Sequence, residues 1–360
     1  MMRTGFRGVL RTFAAASAAG MVALGLCAPA ANAEDEVPRL ADGFGLTVKR
    51  QPEWLDGGHR SFVFSVATDE VPNPTLLSDQ TAGQHDIVVT LPEDYTRSEA
   101  RYPVLYSLHG NPDWPTNPYL RQVSEQATAG KPLITVHPNG VRSWYSNWVN
   151  PGGVGPQNWE TFHLDQLVPF IDANLRTFAE RDGRAIVGHS MGGFGALHYA
   201  EHRPDLFSYV GSFSGGLDLL NQKVRAAVIG TEVSPGSGTP TVGADAIFGP
   251  PVWPLDGVWN AQSPAQHVES LRGMGVALYS GNGGDPLVAP VQSVTEQGVR
   301  ETNVVTSQNL TAAGIPHEFL DYGDGSSWAP GCSGKHADIQ CLQKDMDHYV
   351  GLILERLRTR

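Results

Sequence analysis

A short glycine-rich stretch, Gly188-His189-Ser190-Met191-Gly192-Gly193, constrains this chain more than any other part of its sequence. The apolar run at 184–187 before it predicts a buried strand, and the residues at 194–200 after it predict a helix. So sharp a turn leaves room only for small residues two positions on either side of the serine. It also holds the hydroxyl at a helix N-terminus, where free N–H groups and the helix dipole favour negative charge. The pattern therefore predicts that Ser190 is a nucleophile.

Strand and helix patterns alternate along most of the chain. Apolar runs predict buried strands at 102–108, 132–137, 207–213, 276–281 and 317–322, and helical spacing of apolar residues predicts helices at 160–175 and 340–357. Alternating residues predict antiparallel strands at 44–49, 61–66 and 85–91. We therefore expect one domain, residues 34–360, with the α/β-hydrolase fold: a mostly parallel central sheet with helices on both faces. The Gly- and Pro-rich segment 217–266 is interpreted as a lid or cap inserted over the site.

The first 33 residues have the features of a secretory signal peptide. Three arginines are their only charges, an apolar run follows at 14–26, and Ala31-Asn32-Ala33 is a small-x-small cleavage site. The run is too short for a membrane anchor, which needs about 20 apolar residues. Cys27 raises a lipoprotein alternative, but Leu26 stands before it where a small residue is needed. We expect a secreted protein, extracellular or in the cell envelope.

The charge of the chain limits its partners. The formal net charge is −12, and removal of the leader leaves 22 basic against 37 acidic residues, or −15. Nucleic-acid binding would need a basic face, so it is not expected. The mature chain has no run that is long and apolar enough to cross a bilayer. Its oligomeric state does not follow from the sequence.

A serine hydroxyl needs a base to accept its proton and a third group to orient that base. The strand, the sharp turn at 188–193 and the helix after it form a nucleophile elbow. After such an elbow, the acid and then the histidine follow the serine along the chain. The acid is expected in the loop after the strand at 276–281, where Asp285 is the candidate. Asp218, after the strand at 207–213, is the second choice. Asp321 and Asp324 fit less well because they lie at or beyond the last strand.

The base is expected in the loop after the last strand. Of the two histidines beyond Asp324, His336 lies in such a loop, whereas His348 falls inside the final helix and is more simply a packing or surface residue. Cys332 and Cys341 flank His336. In a secreted protein two such cysteines are expected to pair, and they lack the further ligands of a zinc site. We expect their disulfide to restrict where the imidazole points.

Two N–H groups are needed to stabilise the oxyanion of a tetrahedral intermediate. The backbone N–H of Met191, next to the nucleophile, is the first candidate. The second is expected after the strand at 102–108, from Asn111 or, as a close alternative, Gly110. Trp144 and Trp148 lie in an aromatic-rich loop and are candidate substrate-binding residues, with packing that fixes the loop as an equal alternative.

His198-Tyr199-Ala200-Glu201-His202 spells H-x-x-E-H, a pattern of zinc proteases. Two histidines four residues apart on one helix face can bind a metal. The helix is already accounted for by the elbow before it, so we expect these histidines to pack or to face solvent. The sequence predicts no metal and no cofactor.

Two stretches before the elbow carry a family resemblance: Ser143-Trp144-Tyr145-Ser146-Asn147-Trp148 and Trp159-Glu160-Thr161-Phe162. Together with the elbow and Gly281-Asn282-Gly283, they resemble the esterase D family of α/β-hydrolases, and within it the secreted mycolyltransferases of the antigen 85 group. The resemblance covers about residues 83–357. It implies a serine nucleophile with an acid, a histidine and two oxyanion donors at matching places: Ser190, Asp285, His336, Asn111 and Met191.

The sequence departs from the antigen 85 group at three places. The group has glutamate as its acid, where this chain offers Asp285. Its histidine is followed by Ser-Trp, whereas His336 is followed by Ala337-Asp338. Its disulfide lies in the loop before W-E-T-F, and the corresponding loop here, 150–158, has no cysteine. These changes allow the serine mechanism but do not carry over the acyl acceptor or the acyl-chain length.

Together these features predict a secreted serine esterase or acyltransferase that forms an acyl-enzyme on Ser190. The substrate is expected to be an ester of a small molecule, a glycolipid or a polysaccharide. An alternative is mycolyl transfer to trehalose or another cell-envelope sugar, which needs a long apolar groove. A third is a cell-surface binding protein that has kept the fold, for which a serine, an acid and a histidine in this order would have no use.

Overall fold

The computed structural model describes residues 36–72, 81–234 and 240–359, so the predicted leader at 1–33 lies outside the described residues. Nine strands within these ranges form one sheet, in the order β1-β2-β3-β5-β4-β6-β7-β8-β9. Their bounds are β1 Thr47–Trp54, β2 Ser61–Ala67, β3 His85–Thr90, β4 Val104–Leu108, β5 Ile134–Pro138, β6 Arg184–His189, β7 Tyr209–Phe213, β8 Gly275–Ser280 and β9 Glu318–Asp321.

The α-helices follow the strands along the chain. They are α1 Pro118–Ala127, α2 Trp159–Thr161, α3 Val168–Asn174, α4 Met191–His202, α5 Gln222–Val233, α6 Gly257–Ala261, α7 Pro290–Ala312 and α8 Ile339–Leu354. A π-helical segment, Phe162–Leu167, joins α2 to α3. Single turns of 3₁₀ helix lie at Tyr95–Arg97, Gly152–Val154, Arg181–Gly183, Pro264–Gln266 and Val268–Leu271.

The direction of the strands divides the sheet into two parts. The first three strands are antiparallel, and β3 also pairs antiparallel with β5. From β5 through β4, β6, β7 and β8 to β9 every pair is parallel. The central strands β4, β6 and β7 are buried along their whole length, as expected of strands covered on both faces. The predicted α/β-hydrolase architecture is confirmed.

Two apolar clusters cover the two faces of the sheet. Ile186 belongs to one cluster, and its neighbours Ala185 and Val187 belong to the other. Successive residues of a strand point to opposite faces, so the clusters lie on opposite sides. Side chains of α4, such as Phe194, pack in the first cluster, and those of α8, such as Met346, pack in the second. Helices therefore cover both faces.

The segment at 217–266 is more regular than its Gly and Pro content indicates. It contains α5 and α6, with residues 235–239 outside the described part. The side chain of Asn221 caps α5 by accepting a hydrogen bond from the N–H of Lys223. Two further helices, α1 and the 23-residue α7 between β8 and β9, were also not predicted from the sequence. Among the described helices, none combines the length and apolar character that a membrane span requires.

Candidate active site

Ser190 lies at the turn between β6 and α4, with a φ of 57°. This left-handed conformation is uncommon for a residue other than glycine and is held by close packing on both sides. A Cβ on Gly188 would stand 2.1 Å from the carbonyl oxygen of Gly192, and one on Gly192 would stand 2.2 Å from that of Leu108. The glycines are therefore required by space, and the elbow predicted from the sequence is present in the structure.

The side chain of Ser190 is in hydrogen-bond contact with that of His336. The distance from Ser190 Oγ to His336 Nε2 is 2.9 Å, and His336 Nδ1 lies 2.8 Å from Glu296 Oε2. These three residues come from the elbow, from the loop before α8 and from the second turn of α7. An imidazole with a hydroxyl on one nitrogen and a carboxylate on the other is the arrangement of a serine nucleophile with its base and orienting acid.

Glu296 is completely buried, and both of its carboxylate oxygens are in hydrogen-bond contact. While Oε2 contacts His336, Oε1 accepts hydrogen bonds from the hydroxyl of Ser214 and the backbone N–H of Gly281, both at 2.8 Å. A buried carboxylate needs such donors because desolvation disfavours its charge. The donors come from the ends of β7 and β8, so the carboxyl edge of the parallel sheet fixes the position of this carboxylate.

The prediction that Asp285 orients His336 is wrong. Asp285 is exposed, and its carboxylate accepts a hydrogen bond from the backbone N–H of Leu287 at 2.8 Å, as a turn aspartate does. The other three candidates are also engaged elsewhere. Asp218 accepts from the N–H of Leu220, Asp321 pairs with Arg300, and Asp324 accepts from Ser326.

The acid was missed because it lies on a helix rather than in the loop directly after β8. The chain continues past Asp285, turns into α7 and brings Glu296 back to the ends of β7 and β8. One signal was available in the sequence: the antigen 85 group uses glutamate, and Glu296 is the first glutamate after β8.

The loop that carries His336 is tied down at several points. Cys332 and Cys341 form the predicted disulfide, with a Cα–Cα distance of 4.8 Å. Asp338 accepts a hydrogen bond from the N–H of Ser333 on one side and caps α8 on the other. The hydroxyl of Tyr119 donates to the carbonyl of Ala337, next to the histidine. This loop is therefore fixed to α1 and α8. The second candidate, His348, lies in α8 and bonds with Tyr279.

Both predicted oxyanion donors face the same cleft as Ser190. Met191 is the first residue of α4, so its N–H has no carbonyl one turn back in the helix to bond with. Asn111 lies in the turn that follows β4. The alternative donor, Gly110, packs against the elbow, since a Cβ there would lie 3.2 Å from Ser190 Cβ.

The cleft above Ser190 has a volume of about 470 Å³ and mostly apolar walls. Helices α5 and α7 form two of these walls, and His336, Asn111 and Met191 lie on its floor with the serine. The apolar wall residues are Trp144, Val224, Ala227, Val291, Val294 and Val299. Lys223 at the rim is paired with Glu301. The segment predicted as a lid thus contributes α5 to the wall.

The two tryptophans predicted as substrate-binding residues have different positions. Trp144 lines the cleft, and its Nε1 donates to Thr231 Oγ1 of α5 at 3.0 Å. Trp148 is buried in the core and donates to the carbonyl of Ser143 at 3.0 Å, and it is not among the residues that line this cleft. For Trp148 the alternative of loop packing therefore describes the structure.

Two further histidines lie around the site and are held neutral by burial. His189 lies beside His336, with ring centroids 5.0 Å apart, and burial lowers its pKa well below the ordinary value. Burial also lowers the pKa of His109 to about 4, and its Nε2 accepts from the N–H of Gly140. A neutral His189 adds no positive charge beside His336.

Comparisons with known proteins agree with this architecture. A family model described as "Putative esterase" matches residues 78–338. The chain is 39% identical over 300 residues to Esterase Rv1288 of Mycobacterium tuberculosis, a match that covers 81% of this chain and 60% of that protein. It is 34% identical over 188 residues to the diacylglycerol acyltransferase/mycolyltransferase Ag85B of Mycobacterium avium, covering 51% of this chain and 48% of that protein. The chain thus spans about half to three fifths of these relatives.

Solved structures show the same fold at low sequence identity. Mycobacterium tuberculosis MPT51 superposes with a TM-score of 0.58 at 20% identity, over 79% of this chain and 98% of that one. The fluorophosphonate-binding serine hydrolase F of Staphylococcus aureus has a TM-score of 0.57 at 18% identity, over 82% of this chain and 99% of that one. The family match covers well over half of the sequence. The chain therefore belongs to this esterase family, has the α/β-hydrolase fold and counts antigen 85 proteins among its relatives.

Proposed function

We propose that this protein is a serine esterase or acyltransferase that acts on carboxylic esters through an acyl-enzyme on Ser190. The observation that carries the proposal is the continuous hydrogen-bonded path from Ser190 through His336 to Glu296, with contacts of 2.9 and 2.8 Å. This path opens onto a cleft that can hold a small-molecule-sized group.

In the first half-reaction, His336 Nε2 accepts the proton of Ser190 as Oγ attacks the ester carbonyl carbon. Glu296 holds the imidazole through Nδ1 and stabilises its charged form. The N–H groups of Met191 and Asn111 receive the oxyanion. When the tetrahedral intermediate collapses, the bond to the alcohol oxygen breaks and His336 returns the proton to that oxygen. The alcohol leaves, and the acyl group remains on Ser190.

The second half-reaction repeats these steps with a new nucleophile. His336 removes a proton from water or from a bound hydroxyl, which attacks the acyl carbon and releases Ser190. Water gives a free acid, and an alcohol gives a new ester. Whether the protein hydrolyses or transfers is thus decided by which hydroxyl group can occupy the cleft beside His336.

The cleft favours an apolar acyl group. Its walls are valine, alanine and tryptophan side chains, and Val291 and Val294 of α7 continue from the wall to the surface, where they are exposed. Leu287 and Val288, just before α7, are also exposed and extend this apolar strip. A hydrocarbon chain bound in the cleft would lose contact with water along this strip, which stabilises binding in proportion to the apolar area covered.

Transfer of a long acyl chain to a sugar, as in a mycolyltransferase, is the second candidate. It is supported by the 34% identity to the Mycobacterium avium protein that carries this name and by the apolar strip on α7. We further propose that residues 1–33 direct the protein out of the cell. The disulfide supports this, because such bonds persist in oxidising compartments.

Product analysis over time on the purified mature protein tests these proposals. Short and long acyl esters would be supplied with and without trehalose, beside Ser190→Ala. Free acid from short esters, unchanged by the sugar, is expected of an esterase; acylated sugar from long esters would establish transfer instead. We expect any acyl adduct detected in the intact mass of the protein to be attached to Ser190. No turnover and no adduct with any ester would contradict both candidates.

A further inference from the structure

A second cluster of histidine and carboxylate side chains lies at the far end of α4. His198 and His202 are one turn apart on the helix, and Glu160 of α2 reaches both of them. Glu160 Oε2 lies 3.2 Å from His198 Nε2, and Glu160 Oε1 lies 2.8 Å from His202 Nδ1. The ligand atoms of the three residues all lie within 4.8 Å of one another. From the sequence we expect these histidines to pack or to face solvent; His198 is buried and His202 is exposed, and both also contact the same carboxylate.

The separations in this cluster approach those of a metal site. Two ligand atoms that each stand about 2.0–2.1 Å from a tetrahedral zinc ion are about 3.3 Å apart. The two carboxylate–imidazole contacts, at 3.2 and 2.8 Å, are somewhat shorter than this separation, and the two imidazole rings lie close together, with centroids 4.1 Å apart. Small rotations of the three side chains would place an ion between them. We propose that Glu160, His198 and His202 bind a divalent transition-metal ion, with zinc as the best-matched one.

The chemistry of the three groups suits an ion. Glu160 Oε2 faces His198 Nε2 and Glu160 Oε1 faces His202 Nδ1, so each of the three residues offers one ligand atom to the same small space. A neutral imidazole can carry its proton on one nitrogen and offer the other to a metal. Two imidazoles and a carboxylate are a zinc ligand set, which leaves one position for water.

The surroundings provide both rigidity and access. His198 is stacked on Phe194, with ring planes 16° apart, and is almost fully buried. The side chain of His202 is 31% exposed, so an ion can enter from solvent on that side. One ligand is thereby fixed and another is open, as expected of a site that exchanges its ion.

This site is separate from the proposed catalytic residues. His198 and His202 follow Ser190 by eight and twelve residues, about 12 and 18 Å along the helix. Glu201, the glutamate of the H-x-x-E-H pattern, is buried and is not part of the cluster. The third ligand comes from Glu160, in the W-E-T-F stretch. An ion here would join α2 to the C-terminal end of α4, so we assign it a stabilising role.

Metal binding to untagged, chelator-dialysed mature protein tests the proposal. Zinc titration followed by calorimetry is expected to show one site per chain, and cobalt(II) is expected to give the visible spectrum of a low-coordinate N/O site. Zinc should raise the midpoint of thermal unfolding, because an ion that binds only the folded state stabilises it. Ser190→Ala should bind zinc as well as the wild type does, so the result does not depend on the proposed esterase activity.

His202→Ala and Glu160→Gln are expected to weaken zinc binding by at least about 100-fold, beyond what loss of an outer hydrogen-bond partner costs. His202 is partly exposed, so its replacement should leave the fold intact, which circular dichroism would check. His267→Ala is the matched control, because His267 is an exposed histidine bonded to the carbonyl of Asn260, outside the cluster. Zinc binding that is absent, or that is equal in wild type, His202→Ala and Glu160→Gln, would show that the cluster is a hydrogen-bonded group only and overturn the proposal.

Discussion

The two histidine–carboxylate clusters of this protein use the same residue types in different surroundings. In the first, one imidazole lies between Glu296 and Ser190, and the glutamate side chain is 1% exposed. In the second, two imidazoles approach Glu160, whose side chain is 19% exposed. A proton-transfer path needs one imidazole with a hydroxyl on its far nitrogen, whereas a metal needs several lone pairs that converge. The number of histidines per carboxylate, rather than the residue types, separates the two chemistries.

The two glutamates also differ in the groups that hold them. Glu296 receives hydrogen bonds from Gly281 and Ser214 at the carboxyl ends of two parallel strands. Side chains held by a sheet edge are fixed in position. A catalytic imidazole requires this, because it must be held in one orientation. Glu160 lies on the short helix α2 and receives its side-chain hydrogen bonds from the two histidines. Its carboxylate can therefore move to meet an ion.

The largest expected effect in the first cluster comes from removing its nucleophile. Ser190→Ala should lower kcat for any ester substrate by at least about 10⁴-fold, because no group remains to form the acyl-enzyme. Zinc binding at the second cluster should not change. Initial rates with a chromogenic short-chain ester measure the first effect, and calorimetry measures the second. If the variant kept activity near the wild-type level, Ser190 would not be the nucleophile. If the protein were a cell-surface binding protein, the wild type itself would have no esterase activity.

The next largest effect is expected from the carboxylate that contacts His336. Glu296→Gln should lower kcat by about 10³–10⁴-fold, since the amide no longer stabilises the charged imidazole. Glu296→Asp should recover part of the loss. Asp285→Asn is the matched control, and it should leave kcat near the wild-type value because Asp285 bonds with Leu287. The reverse result, with Asp285→Asn inactive and Glu296→Gln active, would restore the acid predicted from the sequence.

The disulfide beside His336 has no counterpart in the second cluster. Replacing Cys332 and Cys341 together by alanine should lower the free energy of unfolding by about 2–3 kcal/mol, the cost of freeing a loop of this length in the unfolded chain. We also expect a lower kcat, because the bond helps to fix the loop that carries His336. Urea unfolding and initial rates measure both. An unchanged kcat in the folded double variant would show that the other contacts of the loop are sufficient.

The smallest expected effect concerns a histidine with no carboxylate partner. Burial lowers the pKa of His109 from 6.5 to about 4, so the folded state binds fewer protons there than the unfolded state between these values. Its contribution to stability is complete above pH 6.5 and is lost as pH falls from 6.5 to about 4. Between pH 7 and 5 this amounts to about 1–2 kcal/mol. Urea unfolding at both values should show a pH dependence that is smaller by this amount in His109→Gln than in wild type.

Several features of the site follow from local sequence. The elbow could be predicted because its glycines are required by atoms within a few residues and at the end of the neighbouring strand. His336 was identified from its place after the last strand, and the structure places it 2.9 Å from Ser190. The parallel sheet follows from apolar runs separated by helical patterns. In each case the information lies in a short window or in the order of elements.

Other features were decided only when distant segments met. The contacts of Glu296 and Glu160 with histidines were not predicted, because no sequence motif pairs either glutamate with a histidine. Each glutamate reaches its histidine across about 40 residues of chain. The wall formed by α5 was hidden in a segment whose Gly and Pro content indicated loop. Local sequence thus determined the sheet, the elbow and the histidine that contacts the serine. Tertiary structure decided which carboxylate each histidine meets, because that choice depends on where long connections return to the sheet and not on any local pattern.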